Sequence, residues 1–191
     1  MSRKRVAVLI SGRGSNLKAL LDAEQDAYEI VLVISNVPSA GGLDHARAAG
    51  IEAVAIDHKP FGKDREAFER EVDAALRARN IEIVALAGFM RVLTPFFVRA
   101  WAGRLVNIHP SLLPKYPGVN THARALEAGD AEHGCTVHLV VDEVDSGEIL
   151  GQARMPIRPD DTPETLAERL LALEHDLYPR ALAEFARTLS T

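Results

Sequence analysis

The chain has 191 residues, 47% hydrophobic and 26% charged, proportions typical of a folded globular protein rather than a disordered or fibrous one. This length fits one domain, so we expect a single domain over residues 1–191. The net charge of −5 is not gathered in blocks of like charge, which argues against a nucleic-acid-binding surface.

The apolar runs are too short to span a bilayer, and the first five residues lead directly into a predicted strand without a signal peptide. Cys135 is the single cysteine, which excludes an intramolecular disulfide and any thiolate metal cluster. We therefore expect a cytoplasmic protein that has no membrane partner.

Strands and helices alternate through the first 109 residues. Apolar, often β-branched runs predict strands at residues 6–10, 30–34, 54–56, 81–87 and 105–108. Helical spacing of apolar residues predicts helices over 16–27 and 64–79, and Thr94-Pro95 opens another that runs to Trp101. Such alternation predicts parallel strands joined by right-handed crossovers.

The pattern changes after Gly134. Residues 136–141 and 149–157 predict two antiparallel strands, and Pro163 begins a closing helix in which Pro179 should cause a kink or a break. The predicted fold is therefore α/β and Rossmann-like. Its central sheet is mostly parallel and flanked by helices on both faces, with antiparallel strands added in the C-terminal part and a closing C-terminal helix.

A glycine turn follows the first strand. Gly12 and Gly14 let the backbone approach a ligand, and the helix that follows directs its free N–H groups towards an anion such as phosphate. Leu17 stands where a dinucleotide-binding fingerprint has its third glycine, and no Gly-Lys-Ser/Thr sequence completes a P-loop. The alternative is that these residues only turn the chain and cap the helix.

The end of the fifth strand carries two polar side chains on one face, Asn107 and His109. Three prolines between residues 110 and 117 predict a rigid loop after them. An amide can stabilise an oxyanion and an imidazole can move a proton, so the pair suits addition to a carbonyl. A carboxylate from the acidic stretch 142–145 would orient the imidazole. A purely structural histidine is the competing interpretation.

The remaining histidines do not indicate a metal site, because His58, His122, His133 and His138 have neither an i, i+4 partner with a flanking glutamate nor a cysteine partner. His45 is predicted to lie on a surface helix.

Four segments together, residues 11–16, 87–91, 107–114 and 142–147, resemble the phosphoribosylglycinamide formyltransferases, a family of folate-dependent enzymes of purine synthesis. The resemblance covers nearly the whole chain. Its His-Pro-Ser-Leu-Leu-Pro element at 109–114 is shared with other formyltetrahydrofolate enzymes, and the glycine turn narrows the acceptor to a phosphoribosyl compound.

The resemblance implies transfer of the formyl group of 10-formyltetrahydrofolate to the amine of 5-phosphoribosylglycinamide, with the folate as co-substrate and no metal. It implies that the N-terminal half mainly binds the acceptor and the C-terminal half mainly binds the folate. The expected partners are these two small molecules, without nucleic acid, and the expected state is a monomer or homodimer.

The resemblance also assigns roles to individual residues. Without it, Arg65 and Glu174 could be read as solvated surface groups as readily as ligand contacts. Glu148 and Gly151 depart from the family pattern, which has glycine, proline and apolar residues there. The catalytic trio would be Asn107, His109 and Asp145. The acceptor would contact Gly12, Gly14, Ser15, Asn16, Leu17, Lys18 and Glu174. The folate would contact Arg65, Met90, Arg91, Val92, Leu93, Asn107, Val141, Asp142, Glu143, Val144 and Asp145.

Other functions stay open at this point. Hydrolysis of formyltetrahydrofolate would use the same trio but needs no phosphate site. Formyl transfer to methionyl-tRNA is disfavoured by the lack of a basic surface. A noncatalytic nucleotide-binding module would keep the fold and leave the formyl group untouched.

Overall fold

The computed structural model describes residues 2–23 and 26–189. The predicted helix over 16–27 therefore reaches partly outside the described residues. Within those ranges seven strands form one sheet in the order β3-β2-β1-β4-β5-β6-β7. The strands are β1 (Lys4–Ile10), β2 (Tyr28–Ser35), β3 (Glu52–Ala55), β4 (Ile83–Leu86), β5 (Leu105–His109), β6 (Glu132–Leu139) and β7 (Ile149–Pro156).

Strands β1 to β5 pair in parallel, whereas β6 runs antiparallel to β5 and β7 antiparallel to β6. The strand order reverses between β1 and β4, and ligands usually bind at the carboxyl ends of strands next to such a reversal. The predicted fold class is confirmed, including the antiparallel C-terminal addition.

Helices cover both faces of the sheet. They are α1 (Ser15–Asp22), α2 (Gly42–Ala48), α3 (Arg65–Ala78), α4 (Pro95–Ala100), α5 (Thr121–Glu127) and α6 (Pro163–Thr188). Helices α1, α2, α5 and α6 pack over one face, and α3 and α4 over the other. The predicted stripe of Phe68, Val72 and Leu76 on α3 is buried in the apolar core between the sheet and helices α3 and α4.

The break predicted at Pro179 does not occur, because α6 is continuous from Pro163 to Thr188. Residues on both sides of the proline, among them Leu170, Leu177, Leu182 and Phe185, are buried against the sheet. This packing offsets the cost of the backbone hydrogen bond that a proline cannot make.

Strand β6 begins at Glu132 rather than at residue 136, so Gly134 lies inside the strand. A Cβ atom at Gly134 would come within 2.0 Å of the Ala153 oxygen on β7 and 2.5 Å of Leu112. The glycine is therefore needed so that β7 and Leu112 can lie close to β6, and it does not end the strand.

Gly151 has a similar explanation. A Cβ atom there would lie 3.2 Å from Leu177 Cδ1 and 3.4 Å from Ala181 Cβ, both on α6. A larger residue there would require the flexible Leu177 side chain to shift by a few tenths of an ångström, a milder constraint than the one at Gly134.

None of the helices within the described ranges combines the length and the apolar character that a membrane span requires.

Candidate active site

Polar side chains gather at the carboxyl edge of the parallel strands, beside the turn that joins β6 to β7. The His109 Nδ1 atom lies 3.4 Å from Asp145 Oδ2. Asn107 is two residues before His109 on the same face of β5. The structure therefore brings together the three residues that the sequence predicts as the catalytic trio. Their roles stay predictions.

His109 is held in one orientation, with 5% of its surface exposed. Its Nε2 lies 2.8 Å from the Tyr116 carbonyl oxygen, which can only accept a hydrogen bond, so Nε2 carries a proton. In the neutral ring Nδ1 is then unprotonated and faces Asp145. Nδ1 is therefore the atom that can gain or lose a proton.

The loop after His109 is fixed by side chains from the antiparallel strands. Thr136 Oγ1 donates to the Ser111 oxygen at 2.7 Å and accepts from the Leu113 N–H at 3.1 Å. Gln152 Nε2 donates to the Leu113 oxygen at 2.8 Å. These bonds hold the loop that carries the Tyr116 carbonyl, and through it the imidazole.

Asp145 lies in the turn between β6 and β7 with a φ angle of +52°, in the left-handed region that aspartate tolerates better than most residues. Its Oδ2 accepts from the Gly118 N–H at 2.8 Å. A Cβ atom at Gly147 would lie 1.8 Å from the Leu139 oxygen, so only glycine fits there. The tight turn thus directs the carboxylate towards the imidazole.

His138 completes this cluster, and sequence reasoning missed it. It lies opposite Asn107 in the β5–β6 register, with its Nε2 3.5 Å from Asn107 Nδ2 and 3.6 Å from Asp145 Oδ1. Its Nδ1 donates to the Leu139 oxygen at 2.9 Å. Burial lowers the pKa of His138, partly offset by the Leu139 hydrogen bond and by Asp145, and this lowering favours the neutral ring. The β5–β6 register, which places His138 opposite Asn107, is the feature that identifies it.

The glycine turn lines a cavity of about 240 Å³ together with Ala87, Gly88 and Met90. Gly14 has a φ angle of +75°, and a Cβ atom there would come within 2.8 Å of the Gly42 Cα at the start of α2. A glycine is therefore required at position 14 for structural reasons as well. Leu17 is buried in the core, so only its main chain can face a ligand, and Lys18 Nζ pairs with Asp22 at 2.5 Å.

Glu174 reaches this region from α6, although it is far away in sequence. Its Oε2 accepts from Asn16 Nδ2 at 3.2 Å. Burial raises the pKa of Glu174, and the bond from Asn16 partly offsets that rise. The Asn16 Oδ1 atom is buried without a partner in the described structure, which makes it available to a hydrogen-bond donor on a ligand.

A second cavity, of about 190 Å³, lies beside the trio and is mainly apolar. Most of the predicted folate-binding residues line it: Arg91, Val92, Leu93, Asn107, Val141, Asp142, Val144 and Asp145. Met90 instead lines the cavity of the glycine turn. Arg65 is exposed at the start of α3, and neither Arg65 nor Glu143 is among the lining residues.

Within residues 2–23 and 26–189, no group of three histidine, cysteine, aspartate or glutamate side chains is arranged to hold a metal ion.

Buried His133 and half-buried His122 form a pair behind the loop. His122 Nδ1 lies 3.0 Å from His133 Nε2, so the two rings share one hydrogen bond. Burial, and then the neighbouring His122, lower the pKa of His133 to about 4. Asp130 raises this pKa and His109 lowers it, both by smaller amounts. Burial, then His109, lowers the pKa of His122 too.

This pair predicts a loss of stability in acid. Because the folded pKa of His133 is about 4 and its ordinary value is 6.5, the unfolded chain binds more protons between these limits. The free energy of unfolding should therefore fall as pH drops from 6.5 to 4. Urea unfolding should give a slope up to about 1.4 kcal/mol per pH unit steeper than in His133→Gln. Equal slopes would contradict this prediction.

The fold and the strand-end cluster define a Rossmann-like α/β protein with an amide, imidazole and carboxylate site suited to carbonyl chemistry. Residues 4–182 match the sequence pattern of the family described as formyl transferase. The chain belongs to the formyl transferase family, which confirms the predicted resemblance.

Relatives agree with this assignment. The phosphoribosylglycinamide formyltransferase of Escherichia coli K12 is 46% identical over 184 residues, which cover 95% of this chain and 86% of the relative. The trifunctional purine biosynthetic protein adenosine-3 of Drosophila melanogaster is 54% identical over 186 residues. These cover 95% of this chain but only 14% of that much longer protein.

Solved structures agree as well. The crystal structure of phosphoribosylglycinamide formyltransferase from Brucella melitensis superimposes with a TM-score of 0.91 at 48% identity, covering 99% of this chain and 98% of that one.

Proposed function

We propose that this protein transfers the formyl group of 10-formyltetrahydrofolate to the amine of 5-phosphoribosylglycinamide in purine biosynthesis, acting in the cytoplasm. The observation that carries the proposal is the cluster of Asn107, His109 and Asp145 beside two cavities of different character. The names of the relatives support the same reaction.

The glycine turn is suited to the phosphoribosyl end of the acceptor. The N-terminus of α1 directs N–H groups and partial positive charge at a phosphate in the cavity of about 240 Å³. Asn16 and Glu174 offer an amide oxygen and a carboxylate to ribose hydroxyls. Contacts with Gly12, Gly14 and Ser15 would be made mainly by the backbone and the serine hydroxyl.

The apolar cavity is suited to a flat ring system such as the pterin of the folate. Its walls are mostly aliphatic, and Asn107, His138 and Asp145 are polar groups at one side. A ligand seated there would present its formyl group to the trio, which is the arrangement that transfer needs.

The hydrogen bonds of the site support the following chemistry. The neutral amine attacks the formyl carbon, and the carbonyl oxygen becomes an oxyanion stabilised by the Asn107 amide and by protonated His109. The amine then loses a proton and the folate N10 gains one as the carbon–nitrogen bond to N10 breaks, giving the formylated acceptor and tetrahydrofolate. His109 Nδ1, or a water held by Asp145, moves that proton.

A deformylation assay tests the proposal. Purified protein is incubated with 10-formyltetrahydrofolate alone, with glycinamide ribonucleotide, and with the same acceptor lacking its 5′-phosphate. Release of tetrahydrofolate that requires the phosphorylated acceptor supports the transferase. Release without acceptor would show a hydrolase instead, and no release would show a binding module.

Asp145→Asn should lower kcat by about a hundredfold or more with little change in either KM, because the carboxylate charges and orients the imidazole without holding a whole substrate. Steady-state kinetics with both substrates measures the split. Glu148→Gln removes the same charge from an exposed site in the same turn and should keep kcat within about twofold. A change confined to the KM values of Asp145→Asn would contradict this role.

A further inference from the structure

The loop 88–93 contributes to both cavities. Its Gly88 and Met90 line the cavity of the glycine turn, whereas Phe89, Arg91, Val92 and Leu93 line the apolar cavity. The Met90 side chain is 79% exposed, so side-chain packing does not fix this part of the loop. Phe89 and Leu93 pack partly against the core, and Arg91 lies over the Phe68 ring. Two polar anchors, at the Met90 N–H and at Thr94, hold the loop as well.

The first anchor is Ser11, the residue between β1 and the glycine turn. Its hydroxyl donates to Asn36 Oδ1 at 2.5 Å and accepts from the Met90 N–H at 2.8 Å. Asn36 is buried, and His58 Nδ1 lies 3.2 Å from its Nδ2. Because Asn36 takes the only hydroxyl proton, the oxygen lone pairs of Ser11 stay directed at Met90.

The second anchor is Glu69 on α3, which is 2% exposed. Its Oε1 accepts from the Thr94 N–H at 2.8 Å, and its Oε2 accepts from the Thr94 hydroxyl. Thr94 is the N-cap of α4, whose Pro95 and Val98 also line the apolar cavity. Glu69 therefore fixes the end of the loop that belongs to the apolar cavity and makes no contact with the glycine turn in the described structure.

From this difference we infer that Ser11 is a positioning residue that couples the two substrate sites, while Glu69 positions only the folate side. The inference rests on the proposed function. A ligand that restrains the glycine turn also restrains Ser11, and through the Met90 N–H it restrains the loop beside the apolar cavity. The second ligand then meets a loop that is already ordered and binds more tightly.

The dead-end pair of glycinamide ribonucleotide and tetrahydrofolate tests this, because no formyl group is present and no reaction follows. Calorimetry measures the affinity for tetrahydrofolate with and without the ribonucleotide. In the wild type we expect the ribonucleotide to tighten tetrahydrofolate binding about fivefold or more. In Ser11→Ala the two affinities should agree within about twofold, and both KM values should rise more than kcat falls.

Glu69→Gln is the matched control, since it loosens the other end of the same loop. We expect it to weaken tetrahydrofolate binding about three- to tenfold under both conditions and to keep the coupling ratio of the wild type. Ser11→Thr retains the hydroxyl and should retain coupling. Ser11→Cys fills the same space with a weak acceptor and should lose it, which keeps the test valid if Ser11→Ala is unstable.

Each failure is distinct. A wild type without coupling, a Ser11→Ala that keeps it, or a Glu69→Gln that also loses it would overturn the inference and leave the proposed function standing. A wild type that binds neither compound would overturn the proposed function and, with it, the inference.

Discussion

His109→Ala should lower kcat by about a hundred- to ten-thousandfold, the usual effect of losing a general acid or base, while both KM values change by less than about fivefold. The neutral ring donates through Nε2 to the Tyr116 oxygen and keeps Nδ1 for proton exchange beside Asp145. In the proposed reaction, removing the ring would take away one proton donor to the departing folate nitrogen and the positive charge beside the oxyanion.

The measurement must separate chemistry from folding, because the variant also removes the imidazole donor to the Tyr116 oxygen and leaves only the Ser111 hydroxyl, at 3.3 Å. Thermal melting reports the folded fraction, and added imidazole should restore part of the activity of the folded variant. His122→Ala removes a half-buried imidazole from the neighbouring helix and should keep kcat within about threefold. A folded His109→Ala with turnover near that of the wild type would show that the proton moves by another route.

Sequence periodicity predicted the sheet and most of its covering helices, because buried strands and amphipathic helices leave a direct mark on the order of apolar residues. It did not predict the short helix α5. It failed where packing overrides local preference. Pro179 does not break α6, because large apolar side chains on both sides of it hold the helix against the sheet. The predicted strand begins after Gly134, although this glycine lies inside β6, where only a residue without a side chain fits.

The site was predictable in part for a similar reason. Asn107 and His109 stand two residues apart, so their common face follows from strand geometry alone. The approach of Asp145 depends on a turn whose shape is set by Gly147, and the position of His138 depends on the β5–β6 register. Neither contact has a local signal. The family resemblance supplied the first of them, and only the structure supplied the second.

His138 also limits which hydrogen of the Asn107 amide is free to bind another group. Its Nδ1 proton goes to the Leu139 oxygen, so the neutral ring offers Nε2 as an acceptor to Asn107 Nδ2. One hydrogen of the amide is then directed at His138, and the second is left for an oxyanion. In the proposed reaction, this contact would leave one amide hydrogen of Asn107 for the oxyanion.

Asn107→Ala should therefore lower kcat by about two orders of magnitude, since one lost oxyanion donor costs roughly 3 kcal/mol in the transition state. Asn107→Asp should be at least as damaging, because it replaces the donor with a carboxylate that repels the oxyanion. Affinity for tetrahydrofolate, which has no formyl oxygen, should change by less than about threefold in Asn107→Ala. A loss that appears in this affinity rather than in kcat would assign Asn107 to folate binding alone, and His109 would then be the sole group acting on the oxyanion.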